Sequence, residues 1–255
     1  MAPLLSTTAL TVTVGAMRVA ERLDLAIPPG ECLVVLGRNG AGKTTLLHTL
    51  AGLRPPAAGE VRLCGVPYAE CEARRAAQLR GLLPQQQVDA FPSTVLETAL
   101  IGRHPHLGRW SWESRADERI AREALSAVAL GELAARDVQT LSGGERQRLA
   151  VATLLTQQPQ LYLLDEPLAH LDLNHQIAVL ELFSARARAG AAVVMVLHDV
   201  NLALRYADRA LLLFGDGGCR EGPAAETIEA AALSRLYGHP LRAIADGAGR
   251  HFVPE

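Results

Sequence analysis

Three stretches of the chain carry residue types at spacings that can act on a phosphate chain. Gly37-Arg38-Asn39-Gly40-Ala41-Gly42-Lys43-Thr44 fits G-x-x-x-x-G-K-[ST], with Thr45 following. Glycines let successive backbone N–H groups wrap phosphate oxygens, and a helix start adds positive potential there. Lys43 supplies a mobile charge for the β and γ phosphates, and the Thr44 hydroxyl can sit on Mg²⁺. Lys43 is the only lysine among 25 basic residues. A compact ammonium on a flexible stem is not interchangeable with a planar guanidinium, so one lysine kept at this position points to phosphate. Asp165-Glu166 ends the apolar run Leu161–Leu164. Asp165 can hold the Mg²⁺ shell, while Glu166 can orient or deprotonate a water for in-line attack on the γ phosphate. Alone, the pair would read as acids at the start of the helix after Pro167. Beside a phosphate loop the chemical reading outweighs that one. The third stretch is Leu141-Ser142-Gly143-Gly144-Glu145-Arg146-Gln147-Arg148. Ser142 with Glu145 three residues on is a capping box at a helix start. Two glycines in that first turn weaken it by about 1 kcal/mol each. They are explained if something must approach the backbone closely, and an anionic group is the natural candidate.

These side chains need a scaffold that brings them to one edge. Residues 9–14 and 20–27 alternate as two antiparallel strands, with Pro28-Pro29-Gly30 as the turn after them. Cys32–Leu36 is a continuous apolar run, as in a strand covered on both faces, and the helix over 43–50 follows the glycine loop. Further strands are predicted at 61–64, 79–83, 161–164, 192–197 and 210–214. Segments 93–101, 115–129 and 144–156 have helical spacing. Strands alternating with helices predict an α/β fold with a mainly parallel sheet, whose ligands sit at the carboxyl ends of the strands. The predicted division is a nucleotide-binding core over 1–84 and 156–222, with an antiparallel β subdomain; a helical insertion over 85–155; and a short helix near 226–236 with a tail, over 223–255.

Composition narrows the function classes. At about 150 residues per domain, 255 residues make one domain with a sizeable insertion. Apolar residues at 49% can build a core, and a net charge of −2 excludes a globally basic nucleic-acid binder. Aromatics at 4% argue against a base-stacking platform. The four cysteines form no C-x-x-C pair and read as free thiols in a reducing compartment. No apolar run reaches about 18 residues, so the chain is expected to be cytoplasmic rather than membrane-spanning.

In motif content and order the chain resembles the nucleotide-binding subunit of an ABC transporter over roughly residues 9–222. Gly37–Thr45 matches the Walker A loop, Gln85 the Q-loop glutamine and Leu141–Gln147 the signature. Leu161–Glu166 matches the Walker B, Leu171-Asp172 the end of the D-loop and His198 the switch histidine. The resemblance implies the ABC ATPase fold, with ATP and Mg²⁺ as ligands. It also implies a head-to-tail dimer, in which the signature residues Ser142, Gly143 and Gly144 of one copy cover ATP held by the P-loop of the other. It assigns hydrolysis to Glu166 with His198 on the γ phosphate. Gln85 senses the γ phosphate and Mg²⁺, so the metal set is Thr44, Gln85 and Asp165. Gln86 and Gln87 adjoin Gln85 and compete for that role. Two departures stand out. The aromatic that usually stacks on adenine is replaced near Val14, and the D-loop Leu168-Ala169-His170-Leu171-Asp172 lacks the usual hydroxyls.

Within the insertion, Gly102-Arg103-His104-Pro105-His106 precedes Trp110 and Trp112, the only two tryptophans. The His-x-His pair has no third ligand nearby and reads as surface histidines. The tryptophans either pack under their loop or anchor a partner. This stretch resembles importers of metal chelates: ferric siderophores, haem or cobalamin. The implied partners are transmembrane permease subunits and, indirectly, a periplasmic or extracellular substrate-binding protein. The implied location is the inner face of the cell membrane. The competing class is a soluble ABC-type ATPase acting on nucleic acid or ribosomes. It usually carries tandem cassettes, inserted coiled coils or a basic stripe, none of which this sequence has.

Overall fold

The computed structural model describes residues 2–85, 92–108, 110–246 and 249–255. In chain order the strands are β1 (Leu5–Val14), β2 (Met17–Ile27), β3 (Cys32–Gly37), β4 (Ala58–Leu63), β5 (Val66–Pro67) and β6 (Arg80–Leu83). They continue as β7 (Leu161–Asp165), β8 (Ala192–Val196), β9 (Arg209–Leu213), β10 (Cys219–Pro223), β11 (Leu241–Asp246) and β12 (Gly249–Pro254). The helices are α1 (Lys43–Leu50), α2 (Ala73–Leu79), α3 (Val95–Leu100), α4 (Arg115–Ala127) and α5 (Gly143–Gln157). After these come α6 (Leu173–Arg188), α7 (Val200–Tyr206), α8 (Ala224–Thr227) and α9 (Ala230–Tyr237).

The central sheet runs β10-β9-β3-β8-β7-β6. Four of its five pairings are parallel, and β10 lies antiparallel on β9. Every residue of β3, β7 and β8 is buried, which explains their unbroken apolar sequence. The two-residue strand period divides those side chains between two cores. Cys32, Val34 and Leu36 join Tyr162, Leu164, Val193 and Met195 under the helices. Leu33, Val35, Leu161, Leu163 and Val194 face α1 and the antiparallel sheet β2-β1-β4-β5. The result is three layers with the parallel sheet in the middle.

That strand order decides the site. The P-loop follows β3, His198 follows β8, Asp165 ends β7 and Gln85 follows β6. Because β3, β8, β7 and β6 are consecutive and parallel, all four stand side by side along one edge.

Among the described residues, 92–157 hold helices and no strand. Capping boxes start α3 (Thr94 with Glu97), α4 (Ser114 with Asp117) and α5 (Ser142 with Glu145). Buried Arg103 ties this region together. Its Nε donates to Asp117 Oδ1 at 2.8 Å, and Nη1 donates to the Thr156 carbonyl at 3.1 Å.

The C-terminal segment departs from the sequence reading. The single helix expected near 226–236 is two short helices, α8 and α9, broken by an extended residue at Glu229. The expected tail is a hairpin, β11 with β12. Its strands, LRAIAD and GRHFVP, lack the alternation that announces a strand, and only Phe252 is buried in β12.

Candidate active site

The phosphate loop is built by the β3–α1 junction. Gly42 takes φ +89°, and a Cβ there would stand 2.3 Å from Val19 Cγ2. Position 42 therefore tolerates only glycine. Lys43 is buried and folds back on its loop, with Nζ donating to the Gly37 carbonyl at 2.9 Å and the Arg38 carbonyl at 3.1 Å. Burial pushes the Lys43 ammonium below its ordinary range, and the charges of Glu166 and Asp165 oppose that fall. Arg38, Asn39 and Gly40 are exposed at the loop tip, while Ala41 is buried behind it. A pocket of about 330 Å³ opens here, lined by Asn39, Gly40, Gly42, Lys43, Thr44 and Thr45, with Gln85 and Glu166 across from them. Val14 and Met17 form its apolar wall, and no aromatic ring among the described residues lines it. Gln85 is exposed on this wall; Gln86 and Gln87 lie outside the described residues.

Asp165 has no exposed surface, and among the described residues neither carboxylate oxygen has a well-formed hydrogen bond, although the Thr44 hydroxyl lies close. Burial raises its pKa, with the Glu166 charge adding to the rise and the nearby Thr44 hydroxyl, His48 and Lys43 opposing it. An unpaired buried carboxylate is unfavourable. Two orphaned oxygens beside a hydroxyl are the hard donors a divalent cation takes.

Glu166 adopts φ +51°, a left-handed conformation unusual for a side chain with a Cβ. The turn is held from α5: Gln147 Nε2 donates to the Pro167 carbonyl at 3.0 Å. Glu166 Oε1 lies 2.8 Å from His198 Nε2. The structure thus brings together Lys43, Thr44, Gln85, Asp165, Glu166 and His198.

It does not bring Ser142, Gly143 and Gly144 to that pocket. They start α5 beside the chain's own D-loop. A Cβ on Gly144 would stand 3.0 Å from the His170 carbonyl oxygen, so at Gly144 the close neighbour is the protein's own backbone. Gly143 has only the His170 side chain beyond 3.6 Å and remains open to solvent. Ser142 N–H donates to Glu145 Oε2 at 2.7 Å, which holds the Glu145 carboxyl below its usual range.

Trp110 and Trp112 are each 89% exposed, so packing under their loop is excluded. His106 Nε2 lies 2.8 Å from the Gln157 carbonyl oxygen, a tie to the end of α5. Sequence reasoning named Gln147 only as the end of the signature, without its tie to the Glu166 turn, and passed over Met17. A methionine at a strand start carries no local signal of a site.

No described helix is long and apolar enough to cross a membrane. The ABC transporter family profile matches residues 20–169. The hemin import ATP-binding protein of Nocardia farcinica is 43% identical over 231 residues, covering 90% of this chain and 79% of that protein. The ferric enterobactin transport ATP-binding protein of Escherichia coli is 39% identical over 230 residues, covering 90% and 85%. A metal-chelate type ABC transporter solved in an inward-facing conformation superposes with a TM-score of 0.86 at 29% identity, covering 98% of this chain and 97% of that one. A dimeric ATP-binding cassette in a post-hydrolysis state, bound to ADP and phosphate, superposes at 0.74 with 26% identity, covering 86% and 98%. Walker loop, buried carboxylate, signature helix and these likenesses agree: the chain belongs to the ABC transporter family, as a cassette that binds and hydrolyses ATP.

Proposed function

We propose that this chain powers a membrane permease that imports a metal chelate, such as haem, a ferric siderophore or cobalamin. The observation carrying the catalytic half is the orphaned Asp165 carboxylate beside Thr44 and Lys43, next to the paired Glu166 and His198. The import half is supported by relatives named for hemin, petrobactin and enterobactin import.

Lys43 turns from its own loop carbonyls to the β and γ phosphates, and the N–H groups of residues 37–45 cradle the chain of phosphates. Thr44, Asp165 and Gln85 would hold Mg²⁺, which would supply positive charge against the triphosphate. His198 keeps one Glu166 oxygen, leaving the other for water. Glu166 takes the water's proton as its oxygen attacks the γ phosphorus. The bond to the β–γ bridging oxygen breaks, releasing ADP and phosphate. Ser142, Gly143 and Gly144 stand away from this pocket, which supports their covering ATP on a second copy in a head-to-tail pair. The permease and, through it, an extracytoplasmic substrate-binding protein complete the importer. The cassette lies on the inner face of the membrane. Trp110 and Trp112 are its anchor on the permease.

The test is uptake into proteoliposomes holding this chain with its permease, with hemin and ferric enterobactin as separate probes. Lys43→Ala is expected to lose ATP turnover and uptake together. ATP turnover at the parental rate in that variant would contradict the P-loop assignment, and hydrolysis that never couples to chelate uptake would contradict import.

A further inference from the structure

The segment after α9 supplies no group to the chemistry, yet it reaches the site from behind. The β11–β12 hairpin folds back so that Phe252, 4% exposed, enters the core with Ala203 of α7 and Leu233 and Leu236 of α9. There the side chain of Asn201, in the first turn of α7, engages both backbone groups of Phe252. Asn201 Oδ1 accepts from Phe252 N–H at 2.8 Å, and Asn201 Nδ2 donates to the Phe252 carbonyl at 3.3 Å. One amide thus gives the strand the donor and acceptor that a neighbouring strand would supply.

Asn201 is three residues beyond His198, and that short path is fixed. Asp199 Oδ1 accepts from the N–H groups of Asn201 at 2.8 Å and Leu202 at 2.9 Å, capping α7. On the strand side, Leu197 N–H donates to the Val35 carbonyl at 3.3 Å. The hairpin is itself pinned, by Arg250 donating to the Ile228 carbonyl at 3.1 Å and by Leu241 N–H donating to Ser234 Oγ at 2.8 Å. The end of α9 meets the phosphate loop as well: a Cβ on Gly238 would stand 3.6 Å from Arg38 Nη1. Breaking the Asn201 amide would leave two partly buried backbone groups unpaired, so the hairpin and the first turn of α7 release together.

We infer that Asn201 and the C-terminal hairpin form a latch on α7 that sets where His198 stands relative to Glu166, making Asn201 a positioning residue for hydrolysis. The inference rests on the role proposed for His198, and the experiment separates the two.

ATP turnover is measured on the full chain for Asn201→Leu, Arg250→Ala, their double variant and His198→Ala. Displacing a reacting group by a fraction of an ångström lowers the chemical step, so Asn201→Leu is expected to lower kcat about tenfold. The KM for ATP should stay within about twofold, because the P-loop contacts are untouched. Arg250→Ala, which loosens the hairpin without touching α7, is expected to lower kcat in the same sense. The double variant should be no worse than Asn201→Leu, because both release one latch. Folded Asn201→Leu at the parental kcat, or a raised KM with kcat unchanged, would overturn the latch. Should Asn201→Leu fail to fold, parental kcat in Arg250→Ala overturns it. His198→Ala at the parental rate would overturn the role of His198 and the latch with it. His198→Ala inactive beside fully active Asn201→Leu would overturn the latch alone.

Discussion

Asp165 shows how function opposes stability at a single residue. Its carboxylate is fully buried, without a well-formed hydrogen bond among the described residues, and raised in pKa chiefly by burial. Asp165→Asn removes the buried charge and keeps the shape. It is expected to raise the stability of the nucleotide-free protein at neutral pH by about 1–3 kcal/mol, read as a higher Tm, while ATP turnover is lost. A lower Tm in that variant would mean that the carboxylate has a stabilising partner after all. The chemistry of this residue is legible in the sequence because two acids end an apolar strand. That no described residue completes a hydrogen bond to it is not legible there, because this depends on what β8 and α1 bring beside it. Glycine behaves likewise. The signature Gly144 announces a close approach, but only the fold shows that the neighbour is the His170 carbonyl.

At the scale of elements, the buried Arg103–Asp117 pair joins the 3₁₀ turn of residues 101–106 to α4, and Arg103 reaches α5. Asp117 is held down to about 2, first by the Ser114 hydroxyl and N–H and then by Arg103. A depressed carboxyl adds stability above its ordinary pKa of 3.8, and that stability is lost as pH falls toward 2. Asp117→Asn is therefore expected to lower the Tm at neutral pH and to flatten the loss of Tm between about pH 4 and pH 2. Equal acid sensitivity in the two proteins would place the acid-labile group elsewhere. The same tie fixes the base of the loop that presents Trp110 and Trp112, with Arg74 Nε and Gln78 Nε2 each donating to the Pro105 carbonyl at 3.0 Å. Trp110→Ala should leave basal ATP turnover within about twofold and reduce the stimulation of turnover by the permease in proteoliposomes. Unchanged stimulation would remove the tryptophan from the permease contact.

Which elements could be read from sequence follows from how each is buried. Cys32–Leu36 and Leu161–Leu164 are legible because a parallel strand under two layers must be apolar throughout. The helix α4 is legible from its helical spacing, and α5 from its spacing and its capping box. The edge strand β10, sequence CREGP, and the hairpin β11–β12 are not, because their sequences show neither an unbroken apolar run nor a strict alternation. The latch on α7 belongs to that hidden part.

For the whole molecule, the parallel order β3-β8-β7-β6 gathers the P-loop, Asp165, Glu166 and His198, and α5 presents Ser142, Gly143 and Gly144 on a different surface, the two halves of the site under the proposed reading. One chain holds both halves and joins neither pair. Hydrolysis should therefore track association of two copies. The direct measurement is sedimentation of Glu166→Gln with and without ATP, with turnover followed in the same samples. The expected result is a monomer without nucleotide and a dimer with ATP, hydrolysing slowly because water lacks its base. A Glu166→Gln chain that stays monomeric in ATP while turning it over at the parental rate would contradict a site shared between two copies.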